Sequence, residues 1–344
     1  MFGSTAPTHQ QAWPLLANHT SSIDCPLAER TVGVVSRDEA LSEPGFSLFS
    51  KGKETYLIDS DGRVVHSWRS SRVVFCAYLL EDGSLLRDGS ENIEAELFKA
   101  GGAAGYVELV SWENVPIWSW SARPIRRFLT HHDLEPLPGG GCLVMCWERR
   151  TKAEALAAGR SPELIPDGEV WDNHVVELRP DGRGGVKEVW AWKLWDHLCQ
   201  DYDPKLPNYV ARPIEAPHRF DINRCPVGGK QGCRNRATVG DNKDGASAHS
   251  SAGKTGEKDW VHANAVSYSA ERDAVLISLN VPSELILVCR KSGAIVWRWG
   301  SPANWGGGTR LEQRLFCQHA SRLENQARTA RAIVYRPRAL FSVL

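Results

Sequence analysis

Short apolar runs separated by polar turns recur along the chain. The stretch Asp259–Gly300 contains four such runs, which we interpret as two β-hairpins in succession. Runs of β-branched and aromatic residues interrupted by Ser, Asp and Gly are typical of hairpins. Four short strands of this kind make one antiparallel sheet of the size of a propeller blade.

Both hairpins of this stretch have copies elsewhere in the chain. The second hairpin consists of an apolar strand, a polar turn and a return strand that ends in Trp, and its copies occupy 56–68, 106–120, 174–192 and 285–299. The first hairpin recurs at 77–87, 131–147 and 262–280. Repeats at intervals of tens of residues indicate stacked supersecondary units. The pattern therefore predicts an all-β protein, a β-propeller of four-stranded blades, with four blades recognisable.

The length and composition fit one large all-β domain, since the chain has 344 residues of which 42% are apolar. We expect a lead-in segment at 1–44 and a propeller domain at 45–320. A helical insertion rich in Ala, Glu and Leu is expected at 151–160, and a mobile Gly- and Ser-rich loop at 225–258. Beyond His319 the hairpin pattern stops. The segment 321–344, which has no Gly, is expected to be an irregular tail that leaves the propeller incomplete at its C-terminus.

The charge pattern excludes the more obvious macromolecular partners. Forty-one basic and 41 acidic residues give a formal net charge of zero, so nothing favours nucleic acid or an anionic membrane surface. The sequence has no continuous apolar run of about 18 residues, so no membrane-spanning segment is predicted. No signal peptide is visible, and the sequence does not assign the protein to a compartment.

The candidate chemistry lies in the first hairpins. Their mutual alignment places three histidines, His131, His262 and His319, at the start of the inner strand. A polar residue follows each histidine by two positions, as Asp133 and Asn264 do for the first two, and therefore faces the same way. An isolated histidine on a strand is usually structural. Three in register, on strands that line the channel of a propeller, favour a shared functional site.

Clustered imidazoles are compatible with several kinds of chemistry. Neutral imidazole is a common metal ligand, which would suit a metal-dependent hydrolase. A histidine can also accept a transferable group as a nucleophile, while its neighbours act as acids or stabilise developing charge. A channel mouth that binds a ligand without turnover is a third possibility, because fold does not dictate function.

Several longer motifs occur in order between about Pro44 and Ala320: YLIDSDGRVVHSW, HHDLEPLPGGG, DWVHANAV, IVWRWG and LFCQHA. In these motifs the chain resembles the bacterial-type arylsulfotransferases, which work without a nucleotide sulfate donor. The resemblance implies a six-bladed propeller that needs no metal or nucleotide cofactor. It also implies a ping-pong reaction, in which sulfuryl passes from an aryl sulfate to a histidine and then to a phenolic acceptor.

The resemblance implies roles for individual residues as well. His319 corresponds to the nucleophile that becomes the sulfohistidine. His262 and the histidine of the HHD motif correspond to the groups that bind the sulfuryl oxygens and protonate the leaving phenolate. The internal alignment selects His131 for the latter role over the adjacent His132.

Besides the segment after His319, which does not match the family, one position departs from the family pattern. Where the family has arginine in an S-x-R motif, this chain has Ser278-Leu279-Asn280, which removes a fork-like cation suited to an anionic sulfuryl group. Asn280, Asn264 and Asp133 are the candidate substrate-binding residues. The lost arginine favours the alternative of a catalytically degenerate propeller that binds a ligand or protein.

Overall fold

The computed structural model describes residues 34, 38–40, 42, 44–91, 98, 100–122, 127–165, 168–223, 258–326, 329–336 and 339–343, with side chains up to Leu323. Most of the expected lead-in segment and, except for Lys258, the expected mobile loop lie outside these residues. The described chain falls into two compact units. The first unit comprises 1–92, 104–121 and 180–186, and the second comprises 93–103, 122–179 and 187–344.

The first unit contains two antiparallel sheets. Their strands are β1 (Ser47–Lys51), β2 (Glu54–Ile58) and β3 (Val64–Arg69) in one sheet, and β4 (Ala77–Leu79), β5 (Leu85–Ser90), β6 (Gly105–Val110) and β7 (Pro116–Ser121) in the other, each in chain order.

The turn between β2 and β3 shows how the sequence forms these hairpins. Oδ1 of Asp59 accepts the backbone N–H groups of Asp61 and Arg63, which closes the polar turn that the sequence SDG predicts. The alternating residues on either side place Leu57 and Trp68 in the core of the unit.

The second unit begins with a four-stranded antiparallel sheet in the order β11-β10-β9-β8. Its strands are β8 (Phe128–Leu137), β9 (Gly141–Thr151), β10 (Glu169–Pro180) and β11 (Val186–Lys193). A short helix, α1 (Lys152–Ala157), lies between β9 and β10, inside the range expected for a helical insertion. Thr151 caps it by accepting the N–H of Glu154, whose carboxylate accepts the N–H of Thr151 in return, so the helix begins with a capping box.

The second unit continues with a short parallel pair, a second four-stranded sheet and a three-stranded sheet. These comprise β12 (Leu198–Cys199) and β13 (Phe220–Asp221); β14 (Ala263–Ser269), β15 (Ala274–Leu279), β16 (Glu284–Cys289) and β17 (Ile295–Trp299); and β18 (His319–Gln326), β19 (Thr329–Arg336) and β20 (Ala339–Val343). The two predicted hairpins of Asp259–Gly300 thus become β14–β17. The all-β class with four-stranded antiparallel sheets of the propeller type is confirmed, whereas the number of blades is not.

The end of the chain differs from the expected irregular tail. Strands β18, β19 and β20 pair as an antiparallel sheet that extends to Val343. The prediction required a glycine in the turn, but the β-branched and aromatic run Ile333–Tyr335 is itself a strong strand signal. The strand-forming residues therefore outweigh the missing glycine, and the sheets do not end at residue 320.

The first strands of three sheets in the second unit, β8, β14 and β18, lie side by side. Side chains connect them: Asp133 on β8 accepts the N–H of Val266, and Ser267 on β14 accepts the N–H of Leu323. Arg322 on β18 donates to Asp133 at 2.9 Å and to the backbone carbonyl of Val266 at 3.1 Å. These contacts hold together the strand ends that carry the histidines.

No helix in the described part of the chain has the length and apolar character needed to cross a membrane.

Candidate active site

Four histidine rings form a contiguous chain in the second unit. The ring centroids of His131 and His132 lie 5.1 Å apart, and those of His132 and His262 lie 4.6 Å apart. His319 continues the chain, with its ring centroid 6.4 Å from that of His262. The structure therefore brings together all four histidines that the sequence singled out.

The central pair of this chain consists of His132 and His262, whereas the sequence alignment had selected His131. The Nδ1 atoms of His131 and His132 are 2.9 Å apart, so the two rings share a hydrogen bond. His131 is 1% exposed and lies parallel to Trp147 at a centroid distance of 4.0 Å. Burial lowers the pKa of His131 to about 3. His131 is thus a buried, neutral ring that can support His132 through the shared hydrogen bond.

Gly102 determines where the ring of His132 lies. The backbone carbonyl of Gly102 accepts the N–H of His132 at 2.9 Å, and Gly102 adopts a left-handed φ of +84°. A Cβ atom at this position would lie 2.8–2.9 Å from three atoms of the His132 ring. Only glycine leaves space for the imidazole here.

His262 is held by a buried carboxylate. Oδ2 of Asp259 contacts Nδ1 of His262, and Oδ1 accepts the backbone N–H of His262 at 3.1 Å. Trp147 also donates its Nε1–H to Asp259 at 3.1 Å. Because the carboxylate accepts the hydrogen bond of Nδ1–H, the ring of His262 is oriented with its Nε2 directed away from Asp259.

His319 is the exposed end of the chain of rings. Nδ2 of Asn280 lies 3.3 Å from its Nδ1 and 3.1 Å from the backbone carbonyl oxygen of Gln318. Asn280 itself is buried at the end of β15, and its N–H donates to the carbonyl of His262. The residue that replaces the family arginine thus contacts the histidine to which the resemblance assigns the nucleophilic role.

The three aligned histidines, His131, His262 and His319, do not occupy equivalent backbone positions. Of these three, His262 has a left-handed φ, at +48°. In the other two copies the left-handed residue follows the aligned histidine by one position, as His132 at +56° and Ala320 at +53°. The strands that carry these residues, β8, β14 and β18, each have a shift in pairing register close to the histidine. The alternation of side chains between the two faces is interrupted there.

The other two candidate substrate-binding residues, Asp133 and Asn264, also have protein partners. The carboxylate of Asp133 accepts from Arg322 and from the N–H of Val266. Nδ2 of Asn264 donates to the carbonyl of Gln318 at 2.7 Å. Both side chains are buried, and their contacts tie neighbouring strands together.

Sequence reasoning missed three residues of the site, namely Asp259, Gly102 and Trp147. For Asp259 a signal existed, since a carboxylate three residues before a histidine in DWVH can reach its ring. Gly102 and Trp147 come from segments distant in sequence, and only the fold brings them to the histidines. Among the residues that the structure describes, no group of three or more His, Cys, Asp or Glu side chains is arranged to hold a metal ion.

The family model described as arylsulfotransferase (ASST) matches residues 121–326. No curated protein matches the chain.

Solved structures that resemble the chain do so weakly. A protein of unknown function from Bacteroides caccae shares 10% identity over 85% of this chain and 82% of its own, with a TM-score of 0.35. The hydrazine synthase of Kuenenia stuttgartiensis shares 9% identity over 87% and 67%, with a TM-score of 0.41. The β-propeller domain of Cps50 (Swd1) from Myceliophteria thermophila shares 11% identity over 87% and 79%, with a TM-score of 0.37. Structural similarity at these identities and TM-scores does not indicate a function.

Proposed function

Because the chain belongs to the arylsulfotransferase family, we propose that it transfers a sulfuryl group from an aryl sulfate to a phenolic acceptor through a sulfohistidine at His319. The observation that supports this best is the chain of imidazoles that ends at the exposed His319 and contains His262 oriented by Asp259. Nucleophile, acid and orienting carboxylate are the parts that covalent group transfer requires.

In the first half-reaction, a lone pair of the His319 imidazole attacks the sulfur of the aryl sulfate. The nitrogen–sulfur bond forms while the bond from sulfur to the aryl oxygen breaks, and the electron pair leaves with the phenolate. Nε2–H of His262, in its imidazolium form, protonates that oxygen. Asp259 accepts a hydrogen bond from Nδ1 of this ring and keeps its Nε2 directed away from the carboxylate.

In the second half-reaction, the acceptor phenol gives its proton back to His262. Its oxygen attacks sulfur, the nitrogen–sulfur bond breaks, and His319 is regenerated. His132 lies against His262 and would share the negative charge on the sulfuryl oxygens by donating a hydrogen bond.

The test is a burst experiment with 4-nitrophenyl sulfate and no acceptor. We expect release of nitrophenol up to one equivalent of protein, then a stall that a phenol relieves, because covalent catalysis makes the first half-reaction stoichiometric. His319→Asn should abolish the burst, and His262→Asn should slow it about a hundredfold or more. His218→Asn, which changes an exposed histidine of the same unit, is the matched control. A folded wild-type protein without any burst would refute the proposal.

A second candidate function is ligand binding without turnover, and Asn280 favours it. Its amide replaces the family arginine and already contacts His319 and the carbonyl of Gln318, so it supplies no cation for a sulfuryl group. Calorimetric titration separates the two functions: binding of 4-nitrophenyl sulfate without cleavage supports the binding module, and cleavage supports the transferase.

A further inference from the structure

Gln318, the residue before His319, is fixed by the strands beneath it. It is completely buried, and its Nε2 contacts Oγ of Ser278 and the carbonyl oxygens of Leu279 and Glu284 at 3.0–3.1 Å. The position of the His319 backbone is therefore set by the ends of β15 and β16.

Two asparagine amides meet at the backbone carbonyl of Gln318. Nδ2 of Asn264 donates to this oxygen at 2.7 Å and Nδ2 of Asn280 donates to it at 3.1 Å. The same Nδ2 of Asn280 has a second hydrogen, and Nδ1 of His319 lies 3.3 Å away. Turning the Asn280 amide around would place its oxygen against the carbonyl oxygen of Gln318, which brings two acceptors together. The carbonyl therefore fixes Asn280 as a donor toward His319.

We infer that Asn280 is a positioning residue that holds the proton of the neutral His319 ring on Nε2 by donating to Nδ1. A neutral imidazole has one N–H and one lone pair, and the hydrogen bond made by one nitrogen decides the state of the other. With Nδ1 as acceptor, Nε2 carries the proton and has no lone pair to attack sulfur. The lone pair of Nδ1 is engaged by the amide.

The consequence for catalysis rests on the proposed function. His319 accepts a sulfuryl group at Nε2 only after its proton has moved to Nδ1, and the N–H of Asn280 would then face an N–H. Because this reactive tautomer loses the hydrogen bond from Asn280 and brings two N–H donors together, its fraction is about tenfold or more lower. Asn280 thus keeps the nucleophile in a resting form.

His262 shows the opposite arrangement in the same site. Its Nδ1 faces the Asp259 carboxylate, an acceptor, so Nδ1 bears the proton and Nε2 has the lone pair when the ring is neutral. The two rings differ in whether a carboxylate or an amide nitrogen contacts Nδ1. Asn280→Asp would give His319 the kind of partner that His262 already has.

The direct test is nitrogen-15 NMR of protein labelled at histidine, recorded above the pH at which the ring protonates and assigned with His319→Gln. In the wild type we expect an unprotonated-type shift for Nδ1 of His319 and a protonated-type shift for Nε2. Asn280→Asp should reverse the two, and Asn280→Leu, which removes the donor without adding an acceptor, should give intermediate shifts. Asn264→Leu also loses a contact to Gln318 but none to the ring, so it should retain the wild-type shifts. A wild-type ring with a protonated Nδ1, or with averaged nitrogens, would overturn the inference.

The kinetic arm uses the nitrophenol burst. Asn280→Asp should accelerate the burst about tenfold, since the reactive tautomer is no longer disfavoured. A reversed tautomer with an unchanged burst rate would overturn the catalytic consequence. Absence of a burst in every variant, together with the expected wild-type shifts, would refute the proposed sulfuryl transfer and support the tautomer assignment.

Discussion

The burial of His131 predicts a specific loss of stability in mild acid. The ring is 1% exposed and stacked on Trp147, and burial lowers its pKa from 6.5 to about 3. Between these two values the unfolded chain binds a proton that the folded chain does not. The free energy of unfolding therefore falls as the pH drops below the unfolded value of 6.5, and it continues to fall until the pH reaches the folded value.

The magnitude follows from the two pKa values. At about pH 5 the protonated form of this ring outnumbers the neutral form by roughly 30 to 1 in the unfolded chain, while in the folded chain the ring is almost entirely neutral. The contribution of His131 to the free energy of unfolding is then about 2 kcal/mol lower than at about pH 8. The result hardly depends on the folded value, provided that this value lies below about 4.

The assay is urea unfolding of the wild type and His131→Gln at several values between about pH 8 and pH 5, followed by tryptophan fluorescence. The variant loses packing against Trp147 and should be less stable at pH 8. It has no proton to take up, so the difference between the two proteins should shrink by about 2 kcal/mol at pH 5. His174 allows an independent repeat, because burial lowers its pKa to about 4. Parallel pH curves for wild type and variant would show that His131 titrates normally in the folded protein.

Three further changes test other parts of the site. Asp259→Asn removes the acceptor that orients His262 and should slow the nitrophenol burst about a hundredfold, whereas an unchanged rate would exclude the orienting role. Gly102→Ala places a Cβ 2.8 Å from the imidazole of His132, at a φ of +84°, and should lower the free energy of unfolding by about 1–2 kcal/mol in a denaturant titration. The control is Gly101→Ala, whose Cβ would meet nothing within 4 Å and which should cost less than about 0.5 kcal/mol. Equal losses in these two variants would contradict the packing argument. Arg322→Met leaves the two carboxylates that it bridges without their cation and should lower the free energy of unfolding by about 2–3 kcal/mol near pH 8. An unchanged stability would show that β18 is not tied to its neighbours.

Local pattern was sufficient to predict the hairpins. In YLIDSDGRVVHSW the alternation of faces and the Asp-Gly turn are contained in about a dozen residues, and β2 and β3 form where they predict. The choice between His131 and His132 could not rest on strand alternation. The rule that residues i and i+2 share a face holds along a regular strand, but the register of β8 shifts between Thr130 and Leu134.

The remaining parts of the site depend on contacts that no local pattern contains. Trp147 belongs to β9, and its indole reaches Asp259, 112 residues further along the chain. Asn280 could be recognised from the sequence as a departure from the family motif. Its effect on His319 depends on the carbonyl of Gln318, and the sequence gives no information about the direction of that carbonyl.

The left-handed backbone at His132, His262 and Ala320 limits which substitutions these positions tolerate during evolution. Asn and Gly adopt this conformation at little cost, whereas most other residues are strained there. A lineage that loses sulfuryl transfer is thus expected to replace the two histidines with Asn or Gly more often than with Ala. Ala320 already bears the strain, so Ala320→Gly should stabilise the chain by about 1 kcal/mol without removing any imidazole. The third position can therefore change freely toward glycine, while the first two can do so only by giving up a ring.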